Sequence, residues 1–121
     1  MRKEEGSEEN NVIDICKKCA KDFAKHVQKK MKDDKIVAKE GDYIKIGFSQ
    51  DKSSESMWVR ITYAGNKSIR GILDNGPMLL TNIKAGDSVI CKKEDIQAYI
   101  SKDQTVMINP LADMVGLEVD I

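Results

Sequence analysis

Between positions 11 and 32 the apolar residues Val12, Cys16, Cys19, Ala20, Phe23, Val27 and Met31 recur at helical spacing. Steps of three and four place such residues along one face of a helix. The other face carries Lys17, Lys18, Lys21, Lys25, Lys29, Lys30 and Lys32 against Asp14 and Asp22. That basic face is either solvated or turned towards an acidic partner. Asn10 or Asn11 is the expected N-cap, because a short polar side chain satisfies the first open backbone N–H groups. Asp33-Asp34-Lys35 ends the helix.

From Ile36 the period shortens to two. Tyr43-Ile44-Lys45-Ile46-Gly47-Phe48 follows the Gly41-Asp42 turn and reads as a strand. Ser49 to Ser56 is polar and turn-like. Met57 to Tyr63 alternates, with Trp58, Arg60 and Thr62 on one side and Met57, Val59, Ile61 and Tyr63 on the other. Ala64-Gly65-Asn66-Lys67 is a hairpin signal, and Ser68 to Leu73 returns as a strand whose Gly71 suggests a bend or bulge. Asp74-Asn75-Gly76-Pro77 is a turn, since proline bars a central strand there. Met78-Leu79-Leu80-Thr81 is a short apolar segment. Lys84-Ala85-Gly86-Asp87 turns into Ser88 to Lys92, and Lys93 to Ile100 reads as a turn or helical stub. Val106-Met107-Ile108 can form a last strand.

Short strands between turns, with an amphipathic helix that must bury its stripe, predict an α+β fold. The expected architecture is an N-terminal helix packed on a small curled antiparallel sheet or an SH3-like β-barrel. Residues 1–10 carry no large apolar side chain beyond the first methionine and are expected to be disordered. Residues 11–102 form the single helix-plus-barrel domain. Residues 103–121 are acidic yet contain Leu111, Met114, Val115, Leu117, Val119 and Ile121. They are expected to pack on the domain, with attraction to the basic helix, or else to meet a partner.

The chain has 121 residues, with 20 basic and 20 acidic side chains and a formal net charge of 0. The length suits one domain. Zero net charge disfavours a general nucleic-acid binder, whose affinity rests on neutralising phosphates. No apolar run approaches the roughly 18 residues of a membrane span. The first ten residues show neither a hydrophobic region nor a cleavage site, so the cytoplasm is the expected compartment. Three cysteines, an odd number, do not look like a disulfide framework. Cys16-Lys17-Lys18-Cys19 has redox or zinc spacing, but it falls inside the helical pattern, with no strand ahead of it. Cys16 and Cys19 are therefore read as packing residues, with metal or redox chemistry as the alternative. His26 is the single histidine and is expected at the surface. No metal and no cofactor are expected.

Four motifs carry a family resemblance: Glu55-Ser56-Met57-Trp58-Val59, then Gly71-Ile72-Leu73-Asp74-Asn75-Gly76-Pro77, then Lys84-Ala85-Gly86-Asp87-Ser88-Val89, then Asp95-Ile96. Phe23, Lys45 and Phe48 fit upstream positions. The sequence resembles the bacterial family catalogued as domain of unknown function 2314 over about residues 12–100. It departs from that pattern at Gln97-Ala98-Tyr99 and beyond. The resemblance implies a small accessory or immunity-type protein and no established activity.

The reading that follows is a non-enzymatic module that binds another protein by surface complementarity, with no catalytic residue. Its expected binding residues are Trp58, Glu55, Arg60, Arg70, Asp74, Asn75 and Pro77. Trp58 is either a core anchor or a ligand-facing aromatic. Arg60 and Arg70 are expected to approach across the hairpin with Glu55 available to neutralise them, as a surface cluster or a binding rim. Two alternatives stand beside this one. One is a hydrolase-like enzyme using carboxylates such as Glu55, Asp74 or Asp95. The other is a nucleic-acid-binding barrel with a basic helix.

Overall fold

The computed structural model describes residues 14–113. The proposed caps Asn10 and Asn11, the N-terminal ten residues and the apolar tail from Met114 onward lie outside them. Among the described residues, no helix is long and apolar enough to cross a membrane.

The helix is shorter than the periodicity suggests. Strand β1 (Asp14–Ile15) comes first and helix α1 spans only Lys21–Asp33. Between them Cys16 donates its N–H to the Gly47 carbonyl at 2.8 Å, continuing the strand pairing rather than a helix. Ala20 begins α1 in the left-handed region, at φ 48°. Val27 is fully buried, Ala24 is buried and Phe23 and Met31 are half-buried. The second half of the expected stripe thus does face the core. Burying Val27 alone is worth roughly 1.5–3 kcal/mol. The helix stops where expected. Lys35 takes a positive φ of 57°, and the N–H groups of Lys35 and Ile36 return to the carbonyls of Lys32 and Met31. Those bonds satisfy carbonyls that the helix end leaves open.

The remaining strands are β2 (Tyr43–Gln50), β3 (Ser53–Ala64), β4 (Ile69–Leu73), β5 (Ser88–Cys91), β6 (Ala98–Ile100) and β7 (Met107–Ile108). They pair antiparallel in the order β5-β4-β3-β2-β6-β7, and β1 pairs β2 beside β6. The α+β expectation holds, and the sheet is antiparallel. The SH3-like barrel is not formed: the strand path is open, with β5 at one end and β7 at the other. Residues 49–56 are a correction as well. Ser49 and Gln50 belong to β2 and Ser53 to Ser56 belong to β3, joined by the tight turn at Asp51 and Lys52. Their polarity reflects an exposed hairpin end, not a loop. The 93–100 segment divides into a 3-10 turn (Lys93–Asp95) and β6.

One sheet face holds the core: Ile44, Ile46 and Phe48 of β2, Met57, Val59 and Ile61 of β3, and Ile69 and Leu73 of β4. Tyr63 leaves the set assigned by alternation, because the register shifts between Ile61 and Tyr63 and turns its side chain to solvent. The bend or bulge expected at Gly71 is present: Gly71 stands opposite Ile61 at the point where the register shifts, with the extra residue, Thr62, on β3. A Cβ on Gly71 would lie 2.6 Å from the Arg60 carbonyl and 2.4 Å from Val59 Cγ1, so only glycine fits. Asp42 is fully buried beneath this face. Its carboxylate accepts hydrogen bonds from Tyr99 Oη (2.6 Å), Lys102 N (2.8 Å) and Lys39 N (3.0 Å), tying the turn before β2 to the end of β6. The described part of the tail does meet the helix: His26 Nε2 lies 3.0 Å from Asp113 Oδ2.

Candidate functional site

β3 has twelve residues, but β4 pairs only with its second half, from Val59 onward. The segment 74–82 runs along the other half. It leaves β4 with Asp74 N donating to the Trp58 carbonyl at 2.9 Å. Glu55 then gathers three consecutive backbone N–H groups. Its Oε2 accepts from Met78 (2.8 Å), and its Oε1 accepts from Leu79 (2.9 Å) and Leu80 (3.4 Å). Gln50 takes the next two residues. Its Oε1 accepts from Thr81 N (2.7 Å) and Asn82 N (3.0 Å), while its Nε2 donates to Thr81 Oγ1 (2.7 Å).

The electrostatics follow from this geometry. Hydrogen bonds from Met78 above all, then Leu79, hold the Glu55 carboxyl below its ordinary range; burial works against them and Leu80 with them. A charged acceptor makes each bond stronger than a neutral one would. The segment is therefore pinned along its backbone, and Leu80 and Ile83 anchor it in the core. Yet Met78 is 92% exposed and Leu79 66% exposed. Two large apolar side chains project from a segment whose backbone is fixed.

The sequence-derived residues separate around this feature. Glu55 is central, but as a backbone clamp. It stands opposite Phe48, while Arg60 stands opposite Ile72 and Arg70 opposite Tyr63. The expected Arg60–Arg70–Glu55 cluster is therefore not formed. The bulge offsets the two arginines, Arg70 lies over the Tyr63 ring at 6.0 Å, and the Glu55 oxygens face the loop. Trp58 is not a core anchor. It is half-buried on the outer face, with the Lys45 ammonium 5.9 Å from its ring centroid. Asp74 and Asn75 are exposed and Pro77 is half-buried, where the segment departs. Gln50, Met78 and Leu79 were missed. The one sequence signal was the apolar triplet Met78-Leu79-Leu80 directly after a proline turn.

Two hollows among the described residues differ in lining. One of about 260 Å³, beside the end of α1, is lined by Gln28, Lys32 and Lys93 and by apolar residues including Met31 and Ile36, with no carboxylate or histidine. A larger one of about 580 Å³ contains Asp42, Tyr99 and Asp103. Hydrogen bonds from Thr105 and Ser101 bring the Asp103 carboxyl down to about 2. Burial, then the bond to Asp42, pushes the Tyr99 hydroxyl up. Both shifts lead away from the range in which protons are exchanged at neutral pH.

The cysteines require a correction. Cys16 and Cys19 are joined by a disulfide across the turn between β1 and α1. The strand ahead of them and the helix after them are the elements that the sequence periodicity merged. Cys91 is buried and unbridged. Burial, then the negative charge of Asp95, pushes its thiol up to about 12, with Lys17 opposing. At pH 8 its thiolate fraction is then about one in ten thousand. Iodoacetamide is expected to leave Cys91 unmodified in the folded protein and to label it fully in denaturant. Rapid labelling under native conditions, read by mass spectrometry, would contradict this burial.

No curated protein and no solved structure matches the chain. The model of one family, described as an uncharacterised protein conserved in bacteria, matches residues 8–108. That span covers the helix, β1 to β7, the Glu55 clamp and the loop it holds, and the chain belongs to this bacterial family, DUF2314.

Proposed function

We propose that this protein is a non-enzymatic binding module whose docking element is the 74–82 loop, and that its partner is another protein. The observation that carries the reading is the exposure of Met78 and Leu79 on a backbone clamped by Glu55 and Gln50. Apolar side chains exposed on an ordered segment suit burial in a partner's pocket. A pre-fixed backbone also lowers the ordering cost of association. Trp58, Arg60, Asp74, Asn75 and Pro77 would form the polar and aromatic rim, and Arg70 would lie further along β4. Immunity to a toxin is the most concrete version of such blocking by surface complementarity.

The test compares affinity capture from the native bacterium using the wild-type chain and the double variant Met78→Asp, Leu79→Asp. Both side chains are solvent-exposed, so the melting temperature is expected to stay within about 2 °C. A stoichiometric protein retained by the wild type and lost by at least tenfold with the variant supports the module. Equal capture by both chains, or capture of nothing by either, removes the loop from the proposal.

A further inference from the structure

The Cys16–Cys19 bond lies apart from the 74–82 loop and has its own surroundings. The closed ring contains only four residues, so it restrains the unfolded chain less than a longer loop would. The turn is also held without the sulfur bridge. Cys16 N donates to the Gly47 carbonyl (2.8 Å), and Gln97 Nε2 donates to the Cys19 carbonyl (3.2 Å). Gln97 is itself held by Ser56 Oγ, which donates to its Oε1 at 2.7 Å. Gly47 makes room for the turn: a Cβ there would lie 2.9 Å from the Cys19 Cβ and 2.5 Å from Gln97 Nε2. The backbone that positions the two sulfurs therefore has a basis in both oxidation states.

Lys17 and Lys18 lie within the ring, and both cysteines are half-buried rather than sealed in the core. The Lys17 ammonium is fixed at 2.9 Å from Asp95, whose side chain is only 4% exposed. Cys19 stands just ahead of the first turn of α1, where the open N–H groups of a helix stabilise negative charge.

We propose that Cys16–Cys19 is a thiol–disulfide exchange centre that takes two electrons from a thiol reductant and passes them to an oxidised disulfide partner. An incoming thiolate attacks Cys16 Sγ. The Cys16–Cys19 bond breaks and Cys19 leaves as the thiolate, the better leaving group beside the helix start. A second reductant thiolate then attacks the reductant's own sulfur in the mixed disulfide and releases Cys16. The reductant ends as a disulfide, having lost two electrons. The protein ends as a dithiol, having gained them, with the two thiol protons exchanged through water. The reverse sequence reduces a partner disulfide.

The experiment uses the full chain, carrying Cys91→Ala and in parallel wild-type, in glutathione buffers of graded reduced-to-oxidised ratio without denaturant. Alkylation and mass spectrometry count the thiols, and far-UV circular dichroism follows the fold. Expected is reversible interconversion of both forms with the dichroism unchanged and the same midpoint in both chains. A bond that stays closed in excess reduced glutathione until denaturant is added would make it a structural staple and overturn the proposal. So would opening accompanied by loss of the fold. Mixed oxidised glutathione with Cys19→Ser and with Cys16→Ser then tests the order of attack. At equilibrium the adduct on Cys16 is expected to be at least tenfold more populated than that on Cys19, the better leaving group, and equal adducts would overturn the assigned roles.

Discussion

Replacing Asp42 with alanine is expected to destabilise the protein by about 4 kcal/mol, since three donors lose their acceptor together and each unmet buried group costs roughly 1–3 kcal/mol. The carboxylate is fully buried and joins the Tyr99 hydroxyl to two backbone N–H groups from Lys39 and Lys102. Marginal stabilities of about 5–15 kcal/mol mean that such a loss removes a large share of the total. Asp42→Asn keeps the volume but turns an NH₂ towards donors, so about half the effect is expected to remain. Tyr99→Phe removes only the 2.6 Å bond and is expected to cost about 1–2 kcal/mol. Urea unfolding of the three variants gives the ranking. A loss below about 1 kcal/mol for Asp42→Ala would mean that water replaces the carboxylate and that the site does not hold β6 in place.

Glu55→Ala is expected to release the 74–82 loop while leaving the sheet intact. Hydrogen exchange at Met78, Leu79 and Leu80 is the readout, because their N–H groups are the ones that the carboxylate holds. Exchange there is expected to quicken by about 10- to 100-fold, with the β3 and β4 ladder amides unchanged. Partner capture is expected to weaken with it, since the loop must then be ordered on binding. The pH dependence has a definite sign. The Glu55 carboxyl is lowered in the folded state from its ordinary value near 4.5. Its contribution is therefore complete above that value and is lost as pH falls through the lower folded one. Loop protection is expected to hold from pH 7 down to about 4.5 and to fade below it. Fading already at pH 6 would point to a different group.

The sequence determined the elements whose cause is local. Alternation over Met57 to Ile61 marked the buried face of β3, and Gly65 with its neighbours marked the hairpin; Gly65 N does donate to the Ser68 carbonyl. Asp33-Asp34-Lys35 marked the helix end. The four spaced motifs marked the family, which the match over residues 8–108 bears out. The start of the helix was misread because Cys16, Cys19 and Ala20 have the right spacing for a stripe. The backbone of Cys16 and Cys19 is instead claimed by Gly47 and Gln97, residues far along the chain, and the helix begins only at the Ala20 carbonyl. The open sheet was equally hidden, since closure depends on whether the two end strands meet, and no local pattern encodes that.

The site shows the same division. Glu55 stood out in its motif, but its charge was assigned to Arg60 and Arg70. Only register decides otherwise: a bulge after Ile61 offsets the arginines, and the short β4 leaves an edge of β3 for the loop to cover. Met78 and Leu79 were visible as apolar residues, and a chain of this composition ordinarily buries such a pair. That they project outward follows from three amides converging on one distant carboxylate. The sequence by itself thus determined the α+β class, the family and most strand faces, because these rest on periodicity and local turn chemistry. Tertiary structure alone decided the clamped loop, the Asp42 junction and the setting of the Cys16–Cys19 bond, because each depends on backbone groups brought together from distant parts of the chain.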